Sequence, residues 1–135
     1  MDATAYIAPA VEIIDSRYRN FNFTLPDVIA DNSSSSRYLI GESFRKVDEV
    51  DLRLMGMVFK KNSEVIATSA GAAVMGHPAR AIAWMANKLN QRGQSILPGE
   101  VVLSGALSEA FTIEQGDHFS VCFDRLGTLE ISFKE

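Results

Sequence analysis

A single carboxylate, Glu12, stands inside the otherwise apolar run "YIAPAVEIIDSRY" of residues 6–18, a placement that calls for an ion pair, a hydrogen bond or a metal. Read as a strand, the run places Val11 and Ile13 on one face and Ala10, Glu12 and Ile14 on the other, so both faces read as apolar. A charge covered on both sides needs a partner. A bound cation, an ion pair with Arg17 or Arg19, or a second face that is partly wet would each satisfy it. The segment "GTLEISFKE" supplies the contrast: Leu129, Ile131 and Phe133 alternate with Glu130, Ser132 and Lys134, which makes Glu130 an ordinary solvated-face acid.

Two further clusters could bind a small polar ligand. "ADNSSSS" gathers Asp31, Asn32, Ser33 and Ser34 beside a strand signal, a dense set of donors and acceptors that a plain loop tip would also explain. "VLSGAL" sets Ser104 and Gly105 at a break in an apolar strand, where glycine permits close backbone approach or forms a bulge. Other chemistries lack their signatures. No phosphate-binding glycine loop occurs, and "SAGAAVMG" reads as a small-residue strand and turn. His77 precedes Pro78 and reads as a helix-start residue, while His118 follows a Gly-Asp turn and reads as exposed.

The elements that must position these groups follow from pattern. After the strand carrying Glu12, Pro26-Asp27 marks a helix or turn start, and "RYLIG" reads as a short strand. Residues 50–74 read as a β-hairpin turning at Asn62 and Ser63. "HPARAIAWMANKLNQRG" predicts the main helix: Pro78 opens it, Ile82, Met85, Ala86 and Leu89 form its apolar stripe, Trp84 lies off that stripe, and Gly93 follows its end. "EVVLSGAL", "AFTIEQGDHFSVCFD" and "GTLEISFKE" all read as strands. The expected fold class is α+β: a mixed, mainly antiparallel sheet arrangement with one main helix.

With 135 residues, 47% of them hydrophobic, the chain is expected to form one domain over 1–135. Its formal net charge of -4 and scattered Lys and Arg residues argue against nucleic-acid or anionic-membrane partners. Cys122 is the one cysteine and is expected to pack as a small apolar residue. With only two histidines beside it, a zinc site of the usual nitrogen and sulfur ligands is nearly excluded, and any metal should be a hard, oxygen-liganded ion. No run reaches the length of a membrane span and no export signal opens the chain, so a cytoplasmic location is expected.

Taken in order, the blocks "APAVEIIDSR", "IADNSSS", "HPARAIAWMANKL", "LPGEVVLSGAL", "QGDHFSVCF" and "LGTLEISF" resemble the C-terminal portion of the bacterial 2-keto-4-pentenoate hydratase and 4-oxalocrotonate decarboxylase family, within the fumarylacetoacetate hydrolase superfamily. The resemblance implies a mixed β-roll with helical additions. It also implies a divalent cation, magnesium or manganese, held by a Glu-x-Glu pair and by a third acid at the position of Glu12. Ser33, Ser34, Ser104 and Gly105 match regions that the resemblance places near the substrate.

For a complete site, the implied chemistry is chelation of a 2-hydroxy-2,4-dienoate through its carboxylate and 2-oxygen, enolate stabilisation, and proton transfer, after which water adds to the terminal carbon. The product would be a 4-hydroxy-2-oxo acid of aromatic-compound breakdown. Decarboxylation is the alternative outcome of the same chelation. Family members are about twice this length, and their first half supplies the Glu-x-Glu pair and a lysine associated with proton transfer. Glu-x-Glu is absent from this sequence, and Glu42, Glu49 and Glu64 all follow Glu12. No catalytic residue is assigned within the chain, which is expected to be a fragment or split product that holds metal weakly by itself. Its expected partners are a small 2-oxo or 2-hydroxydienoate acid, and either further copies of itself or a complementing N-terminal half. The rival expectation is a non-catalytic interaction half or an inactive relic.

Overall fold

The structure, a computed structural model, describes residues 1–134. Its elements in chain order are β1 (Ala10–Ile14), α1 (Leu25–Ala30), β2 (Ser35–Ile40), β3 (Gly56–Lys61), β4 (Glu64–Ala70), α2 (Pro78–Asn90), β5 (His118–Phe123) and β6 (Gly127–Ser132). β1 and β2 form a two-stranded sheet, and the other four strands form an open sheet ordered β4-β3-β5-β6. Every strand pair is antiparallel among the described residues. The α+β, mainly antiparallel class with one main helix is therefore what the chain adopts.

Alternation builds the core on one face of the larger sheet. The register places Met57 opposite Phe123 and Val121 opposite Leu129, and all four side chains are buried together with Met55 and Leu126. Burying each such side chain is worth about 1.5–3 kcal/mol. The opposite face of β5 carries Cys122, which is exposed rather than packed as the sequence suggested. The reason is parity: Cys122 lies between two core-facing residues, so its side chain must point away from the core.

Local signals set the turns and helix ends. Asn62 and Ser63 have φ of 51° and 73°, the left-handed pair of a two-residue hairpin turn. Asn62 Nδ2 donates to Asp117 Oδ1 at 2.9 Å, and the His118 amide donates to Asn62 Oδ1 at 2.9 Å, so the turn is tied to the start of β5. Lys61 adds an ion pair to Asp117 at 2.8 Å. His77 caps α2, its Nδ1 accepting from the Ala79 amide at 3.1 Å. His118 is half-buried, with Nδ1 3.0 Å from Ser132 Oγ.

The segment between α2 and β5 departs from expectation. "EVVLSGAL" and "AFTIEQ" contain no strand; residues 100–114 run as irregular chain. A strand exists only when a neighbouring edge accepts its backbone hydrogen bonds, and among the described residues none is paired to this stretch. No helix is long and apolar enough to cross a membrane.

Candidate functional site

Glu12 lies in the middle of β1, opposite Tyr38 of β2. Its neighbour Val11 packs against the core, while Glu12 is exposed. The second face of β1 is only partly covered: Ala10 and Ile14 on the side of Glu12 are half-buried, while Glu12 itself is exposed. Of the alternatives open in the sequence, the ion pair with Arg17 or Arg19 is not the one adopted among the described residues. Glu12 makes no ion pair among the described residues, and one carboxylate oxygen, Oε1, accepts a hydrogen bond from Ser35 Oγ.

Arg17 is engaged elsewhere. Its guanidinium pairs with Asp31, whose side chain is only 1% exposed. Ser34 Oγ donates to Asp31 Oδ2 at 2.9 Å, and the Arg17 amide and Ser16 Oγ approach the same oxygen at 3.3 and 3.4 Å. Burial pushes the Asp31 carboxyl up, but the hydrogen bonds from Arg17 and Ser34 outweigh it and hold the group below its ordinary value of 3.8. One ionised carboxylate thereby joins the end of β1 to the approach to β2.

That junction supports an unusual backbone. Asn32, Ser33 and Ser34 have φ of 51°, 56° and 58°, three consecutive left-handed residues without a glycine. Each such residue costs about 1–2 kcal/mol, so the turn persists only because its surroundings fix it. The Ser34 hydroxyl is buried and committed to Asp31, whereas Ser33 at the tip is exposed. Beside the turn, Asp15, Ser16, Arg17, Ser35 and Ser36 line an open polar hollow of about 280 Å³. Ser35, one of the lining residues, is the donor to Glu12.

Ser104 and Gly105 are not joined to this group by any hydrogen bond among the described residues. Ser104 is half-buried, and Gly105 has φ of 115°. A Cβ at Gly105 would lie 3.4 Å from Val74 Cγ1, so the glycine serves the backbone conformation more than close packing.

The residue pattern missed the Arg17–Asp31 lock, because a pair 14 positions apart leaves no periodic signal. The left-handed turn did leave one: Asp-Asn before a serine run is the composition that tolerates such backbone.

The model of the fumarylacetoacetate hydrolase C-terminal family matches residues 1–134. The chain belongs to that family. Among the family's members, the 4-oxalocrotonate decarboxylase of Pseudomonas putida is 44% identical over 131 residues, covering 97% of this chain and 50% of that protein. The 2-hydroxyhexa-2,4-dienoate hydratase of Comamonas testosteroni is 38% identical over 133 residues, covering 98% of this chain and 50% of that one. The solved structure of the 4-oxalocrotonate decarboxylase from Pseudomonas putida G7, complexed with magnesium and adipate, superposes with a TM-score of 0.91 at 43% identity. That superposition covers 95% of this chain and 49% of the solved chain. This fumarylacetoacetate hydrolase C-terminal chain thus spans about half the length of the curated relatives it matches.

A hard divalent cation takes about six or more oxygen ligands, drawn from carboxylates, carbonyls and waters. Among the described residues no group of three or more His, Cys, Asp or Glu side chains is placed to hold a metal ion. Glu12 with Ser35 is at most one corner of such a site. The described residues do not by themselves bring together such a cation centre.

Proposed function

We propose that these residues form the C-terminal half of a divalent-cation site for a short 2-oxo or 2-hydroxydienoate acid, and that the complete enzyme hydrates 2-hydroxypenta-2,4-dienoate to 4-hydroxy-2-oxopentanoate. The observation that carries this reading is an exposed carboxylate, Glu12, beside a serine-lined polar hollow, in a chain matched over residues 1–134 to a family of such enzymes. The magnesium and adipate, a small dicarboxylate, in the solved relative support the same ligand classes. Glu12 contributes one carboxylate ligand, and the remaining acids come from outside these residues. Ser33 donates its exposed hydroxyl to an acid group of the substrate. Ser34 acts through Asp31 by holding the turn that presents Ser33. Ser104 and Gly105 border the substrate from the other segment.

A second reading, decarboxylation of 4-oxalocrotonate, is favoured by one observation: identity is 44% to a decarboxylase and 38% to a hydratase. Both reactions stabilise an enolate of a 2-oxo acid, so the shared residues serve either. The test combines this chain with the N-terminal half of the Pseudomonas putida decarboxylase and magnesium, and offers both substrates. Metal-dependent loss of 2-hydroxypenta-2,4-dienoate absorbance without carbon dioxide release supports the hydratase. Carbon dioxide release from 4-oxalocrotonate alone supports the second reading. A combined protein that turns over neither contradicts both.

A further inference from the structure

The hollow that Ser35 shares with Glu12 suits only one end of the proposed ligand. Its lining, Asp15, Ser16, Arg17, Ser35 and Ser36, is polar throughout and fits an acid group, whereas a short dienoate also carries an unsaturated carbon chain that needs apolar surface. The register of the two-stranded sheet says what lies within reach of Glu12. Pairing and alternation put Ala10, Glu12 and Ile14 of β1 and Tyr38 and Ile40 of β2 on one face. Ala10, Ile14 and Ile40 are half-buried, while Tyr38 is 60% exposed, so among these five it is the one large apolar side chain with most of its surface free. It stands directly opposite Glu12, and residues so paired have Cβ atoms about 4.5–5.5 Å apart. A register shift at Ile13-Ile14, the kind of bulge that re-aims side chains, accompanies the approach of Ser35 Oγ to Glu12 Oε1. Glu12 thus has a hydroxyl on the side of the hollow and a tyrosine across the sheet.

We propose that Tyr38 is a substrate-binding residue whose ring forms the apolar wall for the carbon chain of the 2-oxo or 2-hydroxydienoate acid, while the acid end sits at Glu12 and the hollow. The inference rests on the reading of Glu12 and the hollow as the substrate's site. A tyrosine suits the role: it has few torsions to fix, its flat apolar face can stack on a conjugated chain, and its hydroxyl stays in water.

Steady-state kinetics tests it on this chain combined with the separately produced N-terminal half of the Pseudomonas putida decarboxylase and magnesium, as parent, Tyr38→Ala and Tyr38→Phe, with whichever of 2-hydroxypenta-2,4-dienoate and 4-oxalocrotonate the parent turns over. A wall that holds the carbon chain alike in ground and transition states predicts that Tyr38→Ala raises KM about tenfold and keeps kcat within about threefold. Tyr38→Phe, which keeps the ring, should recover most of that loss. A purely structural role would instead lower kcat through the folded fraction and leave KM in place. Because Tyr38 is exposed, thermal unfolding of the chain alone should be the same in all three forms. Manganese binding by the mixture, followed by electron paramagnetic resonance, should also be the same for the parent and Tyr38→Ala. An active mixture whose KM is unmoved by Tyr38→Ala overturns the inference and leaves the reading of the site standing. Loss of manganese binding in Tyr38→Ala overturns it as well, and so does failure of that variant to combine with the N-terminal half, because the ring would then serve the contact between the halves. A parent mixture without turnover overturns the functional reading and this inference with it.

Discussion

Gly71→Ala should be among the most damaging single-methyl changes in this chain. Gly71 follows β4, and a Cβ there would lie 1.7 Å from the carbonyl oxygen of Leu52, a backbone atom with no rotamer to escape through. The two segments must part by roughly 1.5 Å or more to restore ordinary contact. Two hydrogen bonds hold them together: the Gly71 amide to Met55 O at 2.9 Å, and the Ala72 amide to Arg53 O at 2.8 Å. Such a shift breaks both, and each buried group left unsatisfied costs about 1–3 kcal/mol. The expected loss is about 4 kcal/mol, or roughly 15 °C in Tm for a domain of this size. Gly56→Ala is the control: Gly56 starts β3, has nothing within 4 Å of its Cβ position, and should be neutral or slightly stabilising. Urea unfolding of both variants measures the difference. A Gly71→Ala protein within about 1 kcal/mol of the parent would refute the close approach and the β4-to-α2 path built on it.

Phe119→Leu keeps an apolar side chain in the core but loses two ring contacts, to Phe59 and Phe133, both at 5.8 Å between centroids. It should cost about 2 kcal/mol in urea unfolding, and Phe133→Leu should cost less because it removes one of those contacts. Acid should destabilise the hairpin junction through Asp117. The Lys61 ammonium holds that carboxyl below its ordinary 3.8, against the opposing push of burial, with help from the Glu114 amide and Asn62. Its stabilisation is present above that ordinary value and is lost as pH falls through the lower folded value. Asp117→Asn should flatten part of the acid limb of a stability-against-pH curve, and an unchanged limb would contradict the assignment.

Features set by neighbours in sequence were legible before the structure. Pro78, the Ile82-Met85-Leu89 stripe and Gly93 bounded α2, and Asn62-Ser63 marked the hairpin turn, because caps and left-handed turns are decided within a few residues. Glu130 could be read as solvated because β6 belongs to a sheet whose core face is complete. Glu12 could not, since strand alternation says which residues share a face but not whether that face is covered. The same limit explains residues 100–104: β-formers suggest a strand, but no edge among the described residues pairs with them. The Arg17–Asp31–Ser34 lock depends on long-range placement, so the serine run showed its chemistry without showing that Ser34 is buried and Ser33 is the exposed hydroxyl.

The central claim is that Glu12 is one carboxylate of a cation site whose other acids lie outside this chain. Manganese binding followed by electron paramagnetic resonance tests it without relying on turnover, using the chain alone, the chain with the Pseudomonas putida N-terminal half, and that mixture carrying Glu12→Gln. The account predicts weak binding by the chain alone, at least a hundredfold tighter binding by the mixture, and loss of most of that gain in the variant. Equal binding by the parent and Glu12→Gln mixtures would contradict it.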